Sequence, residues 1–204
     1  MNYNSIIGVV LAGGKSERFG QDKSQVKLGD KILIDHILTE ILDEFNEILI
    51  ISNNNIKFLK SKKITRLKDY RKNLGPLGGI LTAMKWIKNN NKKYKWISTF
   101  PTDTPFFKKE HLHKFFKKIN KKDGKLFFIN SNNKRHNIFG LWSQNLLKRL
   151  EKDLIKKGER KVEIWANKIG VKTINMKFKN HDPFFNINTK EDLKKAKLLI
   201  KNND

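Results

Sequence analysis

Glycines and cationic side chains lie together directly after the first apolar run of the chain, in the stretch LAGGKSERFGQDK from Leu11 to Lys23. Gly13 and Gly14 have no Cβ, so their backbone N–H groups can approach phosphate oxygens closely. Arg18 can grip a phosphate with its forked guanidinium, and Lys23 can act as a mobile point charge. This combination predicts a loop that wraps a nucleoside triphosphate.

Two better-known glycine motifs do not fit this stretch. GVVLAGGKS, from Gly8 to Ser16, nearly matches a P-loop, but one extra glycine changes the spacing and Gly8 falls inside the apolar run. No G-x-G-x-x-G occurs there, so the dinucleotide-binding fingerprint fails as well. Taken alone, the stretch is equally consistent with an ordinary strand-to-helix turn that carries solvated lysines. Other motifs must decide between the two.

A carboxylate follows a second strand-like run. YKWISTF ends at Phe100, and PTDTP then places Asp103 at the expected carboxyl edge of a sheet. A hard carboxylate oxygen in that position can hold Mg²⁺ against substrate phosphates. The alternative is an aspartate that only organises its turn. We favour the metal ligand, because Gly13, Gly14 and Lys23 are expected at the same edge.

Two further stretches provide candidates for ligand binding. GPLGG predicts a tight loop that brings backbone close to a base or ribose, and a plain helix start is the alternative. Its candidate contacts are Gly75, Pro76, Leu77 and Gly78. Asn186 and Asn188 precede the last helix, where their amides can bind substrate or surround a metal ion. Capping of that helix together with Thr189 is the alternative for these asparagines.

Alternating strands and helices are expected to position these residues. Ser5 to Ala12 is a continuous apolar run, which is typical of a parallel strand covered on both faces. A helical pattern over 32–45 and a short buried strand from Glu47 follow. The pattern recurs with a helix near Ile80 to Lys88, a strand over 94–100, a helix over 112–119 and a strand over 125–130. Such alternation indicates βαβ units, which bind ligands at the carboxyl ends of their strands.

From His136 the order of the elements changes. HNIFGLW reads as a strand, and helices are expected over 146–154 and 162–169 before a strand at VKTINMKF. The last predicted helix follows NTKEDL, where Thr189 can cap the first turn with Asp192. We therefore predict one α/β domain over residues 1–204. Its expected architecture is a Rossmann-like three-layer fold with a mostly parallel central sheet and a smaller antiparallel segment.

The composition excludes several classes of protein. The chain has no cysteine among 204 residues, so it has neither a disulfide framework nor a thiolate metal site. No apolar stretch approaches the roughly 18 residues needed to cross a bilayer, and we expect a cytoplasmic protein without a membrane partner. The net charge of +24 suggests nucleic acid. Its lysines are spread through the whole chain, however, so we expect nonspecific affinity for polyanions and no specific nucleic-acid partner.

Five motifs resemble, in order, those of the molybdenum cofactor guanylyltransferases, a family of nucleotidyltransferases. They are LAGGKSERFGQDK, GPLGGI at 75–80, FPTDTPFF at 100–107, HNIFGLW at 136–142 and FFNINTKEDL from residue 184. Together they span nearly the whole chain. His136 heads a motif that usually reads His-Pro, but Asn137 replaces the proline here. Contact of His136 with a pterin substrate and a histidine satisfied by surface hydrogen bonds therefore both stay open.

The resemblance implies a reaction and a set of contacts. GTP and a molybdopterin cofactor would be the substrates, Mg²⁺ the cofactor, and pyrophosphate the second product. The triphosphate would lie against the backbone of Leu11, Ala12, Gly13 and Gly14, with Lys23, Arg18 and Asp103 as catalytic residues. Nucleotide contacts are implied for Asp69 and for Asn53 or Asn54. Transient contact with cofactor delivery or acceptor proteins is also implied.

Other functions remain possible at this level. A related nucleotidyltransferase that uses CTP or makes a nucleoside diphosphate sugar would share the Leu11, Lys23 and Asp103 features. A non-enzymatic nucleotide-binding or nucleic-acid-binding protein belongs to a different class. Arg160 and Lys161, in GERKVEIWA, either steer an anionic substrate or form a solvated face. The ordered set of motifs favours the enzyme.

Overall fold

A twisted central sheet runs through the computed structural model, which describes residues 3–13, 22–178 and 182–201. The strands in this part of the chain are β1 Ile6–Leu11, β2 Lys27–Leu28, β3 Lys31–Ile32, β4 Ile48–Ile51, β5 Ile64–Leu67, β6 Trp96–Pro101, β7 Leu126–Ser131, β8 Lys134–Ser143 and β9 Lys172–Met176. The helices are α1 Leu33–Ile41, α2 Gly75–Asn89, α3 Lys109–Lys117, α4 Leu147–Glu151, α5 Val162–Ile169 and α6 Lys190–Lys201.

Seven of the described strands form the main sheet, in the order β5-β4-β1-β6-β8-β7-β9. Strands β5, β4, β1 and β6 are parallel to one another. Strand β8 runs antiparallel to both β6 and β7, and β9 pairs in parallel with β7. The mostly parallel sheet and the antiparallel segment in the later half are confirmed. The other two strands, β2 and β3, form a small antiparallel hairpin.

Helices cover the main sheet on both faces. Successive residues of β1 point to opposite sides of the sheet, so they contribute to two different cores. Ile6 and Val10 pack into a core with α1 and α3, whereas Ile7 and Val9 pack into a second core with α2, α4 and α5. Continuous apolar runs are what such a doubly covered strand requires. The predicted three-layer arrangement is confirmed.

The GPLGG stretch departs from the sequence-based expectation. It forms the first turns of α2 rather than a loop, since the helix begins at Gly75 with Pro76 in its first turn. Proline suits this position because its missing N–H would have no partner there. Gly79 lets the helix lie against the strands: a Cβ on it would lie 2.9 Å from Leu11 Cδ2. The expectation of a tight loop was therefore wrong.

Smaller differences occur in polar segments. Strand β5 and the β2–β3 hairpin were not predicted, and β5 is an edge strand in which two polar residues lie between Ile64 and Leu67, so it has no continuous apolar run. The predicted cap of the last helix is confirmed. Asp192 N donates to Thr189 Oγ1 over 3.1 Å, and Thr189 N donates to Asp192 Oδ2 over 2.9 Å.

Candidate functional site

A cavity of about 900 Å³ opens at the carboxyl ends of β1, β4 and β6, beside the start of α2. Strand β1 lies between β4 and β6. The strands that follow β1 in the chain first extend the sheet on one side of it, as β4 and β5, and then on the other side, starting with β6. A crevice at this kind of position is where open α/β sheets bind ligands. Eleven residues predicted from the sequence line the cavity: Leu11, Ala12, Gly13, Lys23, Asn53, Asn54, Asp69, Gly75, Pro76, Asp103 and Asn188.

An ion pair joins the end of the glycine-bearing stretch to the strand-end carboxylate. Lys23 Nζ lies 2.8 Å from Asp103 Oδ2 and donates to Asn188 Oδ1 over 2.6 Å. The side chains of Lys23 and Asp103 are 17% and 19% exposed, so the pair is shielded from bulk water yet borders the cavity. Residues 80 and 165 positions apart thus meet at one point, as the predicted sheet edge requires.

The backbone holds Asp103 against the segment before α6. Ile187 N donates to the carbonyl of Asp103 over 2.8 Å, which brings the flanking Asn186 and Asn188 beside the carboxylate. Among the described residues, Asp103 Oδ1 and Asn186 Oδ1 are buried without a hydrogen-bond partner. Buried oxygens of this kind are costly unless a donor or a cation satisfies them.

This oxygen set suits Mg²⁺, which binds through one or two carboxylates, with substrate phosphates and water completing its shell. Asp103 supplies the carboxylate and Asn186 a buried neutral oxygen without a partner, whereas Asn188 Oδ1 already accepts from Lys23. The described part of the chain holds no group of three or more His, Asp or Glu side chains that would form an all-protein metal cage. Substrate oxygens and water would complete the coordination of a Mg²⁺ ion held by Asp103.

Two side-chain pairs connect the loop after β4 to both sides of the cavity. Asn54 Nδ2 donates to Asp22 Oδ2 over 2.7 Å, next to Lys23. Asn53 Nδ2 donates to Asp69 Oδ2 over 2.7 Å, and Asp69 N donates back to Asn53 Oδ1 over 3.0 Å. Burial raises the pKa of Asp69, and the bond from Asn53 partly opposes that shift. Asp22 lines the cavity and was missed by the sequence analysis.

The turn that leads into α2 and the first residues of that helix form one wall of the cavity. Asn73 and Gly75 both have positive φ, 62° and 63°, which glycine and asparagine tolerate better than other residues. Both line the cavity together with Pro76. A Cβ on Gly75 would lie 4.0 Å from the carbonyl oxygen of Arg160, so the segment around Arg160 backs this wall.

A buried carboxylate anchors the helical segment that leads to Arg160. Asp153 accepts from Arg149 Nε over 2.6 Å, pairs with Lys157 Nζ at 3.1 Å and accepts from Trp165 Nε1 over 3.3 Å. Burial alone would raise the pKa of Asp153, but the two cations lower it to about 2. The carboxylate therefore stays ionised at neutral pH and holds α4 against α5.

Several predicted residues lie elsewhere. Leu77 and Gly78 are buried in α2 and do not line the cavity, and Asn186 does not line it either. Gly14 and Arg18 fall outside the described residues. Arg160 directs its guanidinium to the carbonyl oxygens of Leu154 and Glu159.

His136 lies in a buried polar cluster. Its Nε2 is 2.6 Å from Ser131 Oγ, which also lies 2.8 Å from Asp182 Oδ2, and its ring packs on Phe184. Burial lowers the pKa of His136, although the charge of Asp182 opposes this shift. The histidine is thus satisfied by internal partners rather than by surface hydrogen bonds, and its contact with a pterin stays a prediction.

Comparisons with known proteins agree with this geometry. A family model described as the MobA-like NTP transferase domain matches residues 8–168. A protein named molybdenum cofactor guanylyltransferase from Haemophilus influenzae is 32% identical over 198 residues, which cover 94% of this chain and 97% of that protein. One of the same name from Nitrobacter hamburgensis is 27% identical over 194 residues, covering 94% and 93%.

A solved structure supports the fold. Molybdopterin-guanine dinucleotide biosynthesis protein A from Archaeoglobus fulgidus superimposes with a TM-score of 0.73 at 21% identity, covering 96% of this chain and 99% of that one. Within its described residues, the present structure has no helix both long and apolar enough to cross a membrane. The resemblance of the five motifs is confirmed: the chain belongs to the MobA-like NTP transferase family and is a nucleotidyltransferase.

Proposed function

We propose that the protein transfers GMP from GTP to the terminal phosphate of a molybdopterin-type cofactor and releases pyrophosphate. The observation that carries the proposal is the meeting of Gly13, Lys23 and Asp103 at one cavity, where a glycine turn, a cation and a carboxylate can share a triphosphate. The names of the curated relatives support GTP and the molybdenum cofactor as substrates.

The chemistry asks little of a general base. A phosphate oxygen of the acceptor attacks the α-phosphorus of GTP, and the bond to the bridging oxygen of the β-phosphate breaks. A phosphate monoester is already largely ionised near pH 7, so the nucleophile does not have to lose a proton in the reaction. Positioning and neutralisation of charge then dominate the rate.

The residues of the cavity divide this work. The backbone N–H groups of the Gly13 turn and the ammonium of Lys23 would bind phosphate oxygens and offset their charge. Asp103 would hold Mg²⁺ through its carboxylate, with Asn186 and Asn188 as neutral neighbours. The bound metal ion would neutralise charge on the reacting phosphates. Because Lys23 is paired with Asp103, its ammonium is held ready at the cavity before the nucleotide binds.

Asp69 is the residue best suited to read the base. Its half-buried carboxylate lines the cavity on the side away from Asp103, and a carboxylate can accept from the ring N–H and the exocyclic amine of guanine. Adenine lacks this pair of donors. The molybdopterin substrate would approach past Ile138 on β8, and a delivery or acceptor protein would contact the same open edge.

The test is direct incubation of the purified protein with Mg²⁺, a molybdopterin cofactor and one of GTP, CTP, ATP or UTP. We expect the guanine dinucleotide and pyrophosphate when the nucleotide is GTP, and no product with CTP, ATP or UTP. We also expect no product when EDTA removes the metal. Preferential use of CTP, or transfer to a sugar phosphate instead of the molybdopterin, would support a related nucleotidyltransferase. Absence of turnover despite tight nucleotide binding would support the non-enzymatic alternative.

A further inference from the structure

Asn53 and Asn54, two consecutive asparagines after β4, point their amides toward opposite sides of the cavity. Both line it, and both are exposed to it. Asn53 bonds to Asp69, whereas Asn54 bonds to Asp22. One short loop is thus hydrogen-bonded to both flanks of the proposed nucleotide site.

The bonds of Asn53 fix Asp69 at two points. The amide nitrogen donates to one carboxylate oxygen, and the amide oxygen accepts from the Asp69 backbone over 3.0 Å. Asn53 therefore holds both the side chain and the backbone of Asp69. No described residue donates to the second carboxylate oxygen, Asp69 Oδ1, so that atom is open to a ligand, and Oδ2 keeps a second lone pair beside the bond from Asn53.

The bond of Asn54 acts on the turn that carries Lys23. Asp22 Oδ1 accepts from the backbone N of Ser24 over 3.0 Å and from its hydroxyl over 2.7 Å, which caps the turn Lys23–Gln25. Asp22 Oδ2 accepts from Asn54. Asn54 is itself anchored, because Arg66 Nη1 donates to its carbonyl over 2.8 Å. The cap of the Lys23 turn is thus tied to the loop after β4.

We propose that Asn53 and Asn54 form an asparagine brace, in which Asn53 positions Asp69 for the base and Asn54, through Asp22, positions Lys23 for the phosphates. The brace rests on the proposed function. Both asparagines then act as positioning residues, because one amide N–H of Asn53 is bonded to Asp69 and one of Asn54 to Asp22. The two arms act on different parts of one ligand, so they are separable by binding measurements.

Equilibrium binding of GTP and of guanosine, each in competition with a fluorescent GTP analogue in the presence of Mg²⁺, separates the arms. A hydrogen bond to a charged group contributes enough that its loss weakens binding about tenfold. Asn53→Ala should raise the Kd of both ligands about tenfold. Asn54→Ala should raise the Kd of GTP about tenfold and leave that of guanosine unchanged, because guanosine has no phosphate for Lys23.

A reciprocal exchange tests the Asn54 arm without loss of side-chain volume. In the double variant Asp22→Asn, Asn54→Asp, the amide at 22 can donate to the carboxylate at 54 and still accept from Ser24. We expect the affinity for GTP to return to within about threefold of wild type, whereas Asp22→Asn alone stays weakened. Asn55→Ala is the matched control, since Asn55 follows in the same run and does not line the cavity.

The brace would be overturned by an Asn54→Ala variant that weakens GTP and guanosine equally, or by one that weakens neither. An Asn53→Ala variant that affects GTP alone would overturn the other arm. A wild-type protein that binds GTP and makes no dinucleotide counts against the proposed function and leaves the binding test intact. A wild-type protein that binds neither ligand would overturn both.

Discussion

Replacement of Asp103 by asparagine tests the centre of the proposed mechanism. The variant keeps the shape of the side chain and the backbone bond from Ile187, but it loses the negative charge. Removal of one preorganised charge or donor from a reacting centre typically costs about 10²- to 10³-fold in rate, or about 2.7–4 kcal/mol. We expect kcat for dinucleotide formation to fall by that factor.

Stability should change far less than activity. The ion pair with Lys23 is 2.8 Å long and its side chains are 17% and 19% exposed, so its loss should cost about 1 kcal/mol after allowance for solvent screening. The amide oxygen introduced by Asp103→Asn could still accept from the Lys23 ammonium. For a protein of this size, a loss of about 1 kcal/mol in the free energy of unfolding corresponds to a fall in Tm of about 2–4 °C.

The assay is the initial rate of pyrophosphate release, with the dinucleotide quantified by mass spectrometry, alongside thermal unfolding of the same preparations. Asp43→Asn is the matched control, because Asp43 is exposed on the surface and away from the cavity. A rate for Asp103→Asn within threefold of wild type would refute the assignment. A fall in Tm of 15 °C or more would show that the charge is structural instead.

Three other outcomes can be measured on the same protein. Lys23→Ala should lower kcat about 10²- to 10³-fold while Tm changes by a few degrees, and normal turnover in a rapid-quench assay would contradict the role of Lys23. Gly140→Ala should lower Tm by several degrees, because a Cβ there would clash with Phe128 Cδ1 and lie 2.7 Å from the carbonyl oxygen of Phe127; an unchanged calorimetric Tm would show that β7 can shift to make room for the methyl group. Asp153 has a folded-state pKa of about 2, below its ordinary value of 3.8, so its ionisation contributes about 2 kcal/mol above pH 4 that is lost as pH falls through 2. In urea unfolding, the free energy of unfolding of Asp153→Asn should therefore lie below that of wild type by an amount that shrinks below pH 4. A difference that stays constant down to pH 2 would contradict the lowered pKa of Asp153.

The sequence predicted the elements whose signals are long and apolar. Strand β1 and helix α5 were expected over 5–12 and 162–169 and lie over Ile6–Leu11 and Val162–Ile169. Burial on both faces leaves a continuous apolar run, and burial of one helical stripe leaves a 3.6-residue period. The meeting of Lys23 with Asp103 was also predictable, because parallel strands bring their carboxyl ends to one edge.

Other features depend on contacts that a sequence does not reveal. Strand β5 is an edge strand with two exposed residues among four, so it lacks an apolar run. The glycines of GPLGG suggested a loop, whereas Gly79 lies within α2, where a Cβ would come 2.9 Å from Leu11 Cδ2. The partners of Asn53 and Asn54 lie 16 and 32 residues away, and only the folded chain identifies them.

The hydrogen bond between Ile187 and Asp103 has a consequence for biosynthesis. A ribosome that has made β1, β4 and β6 has produced most of the residues that line the cavity, but the asparagine that accepts from the Lys23 ammonium is still untranslated. Contacts that span 165 residues also form slowly, because a long loop must close first. A nascent chain therefore cannot form the contact between Lys23 and Asn188 before residue 188 emerges, when all seven described strands of the main sheet have already been synthesised.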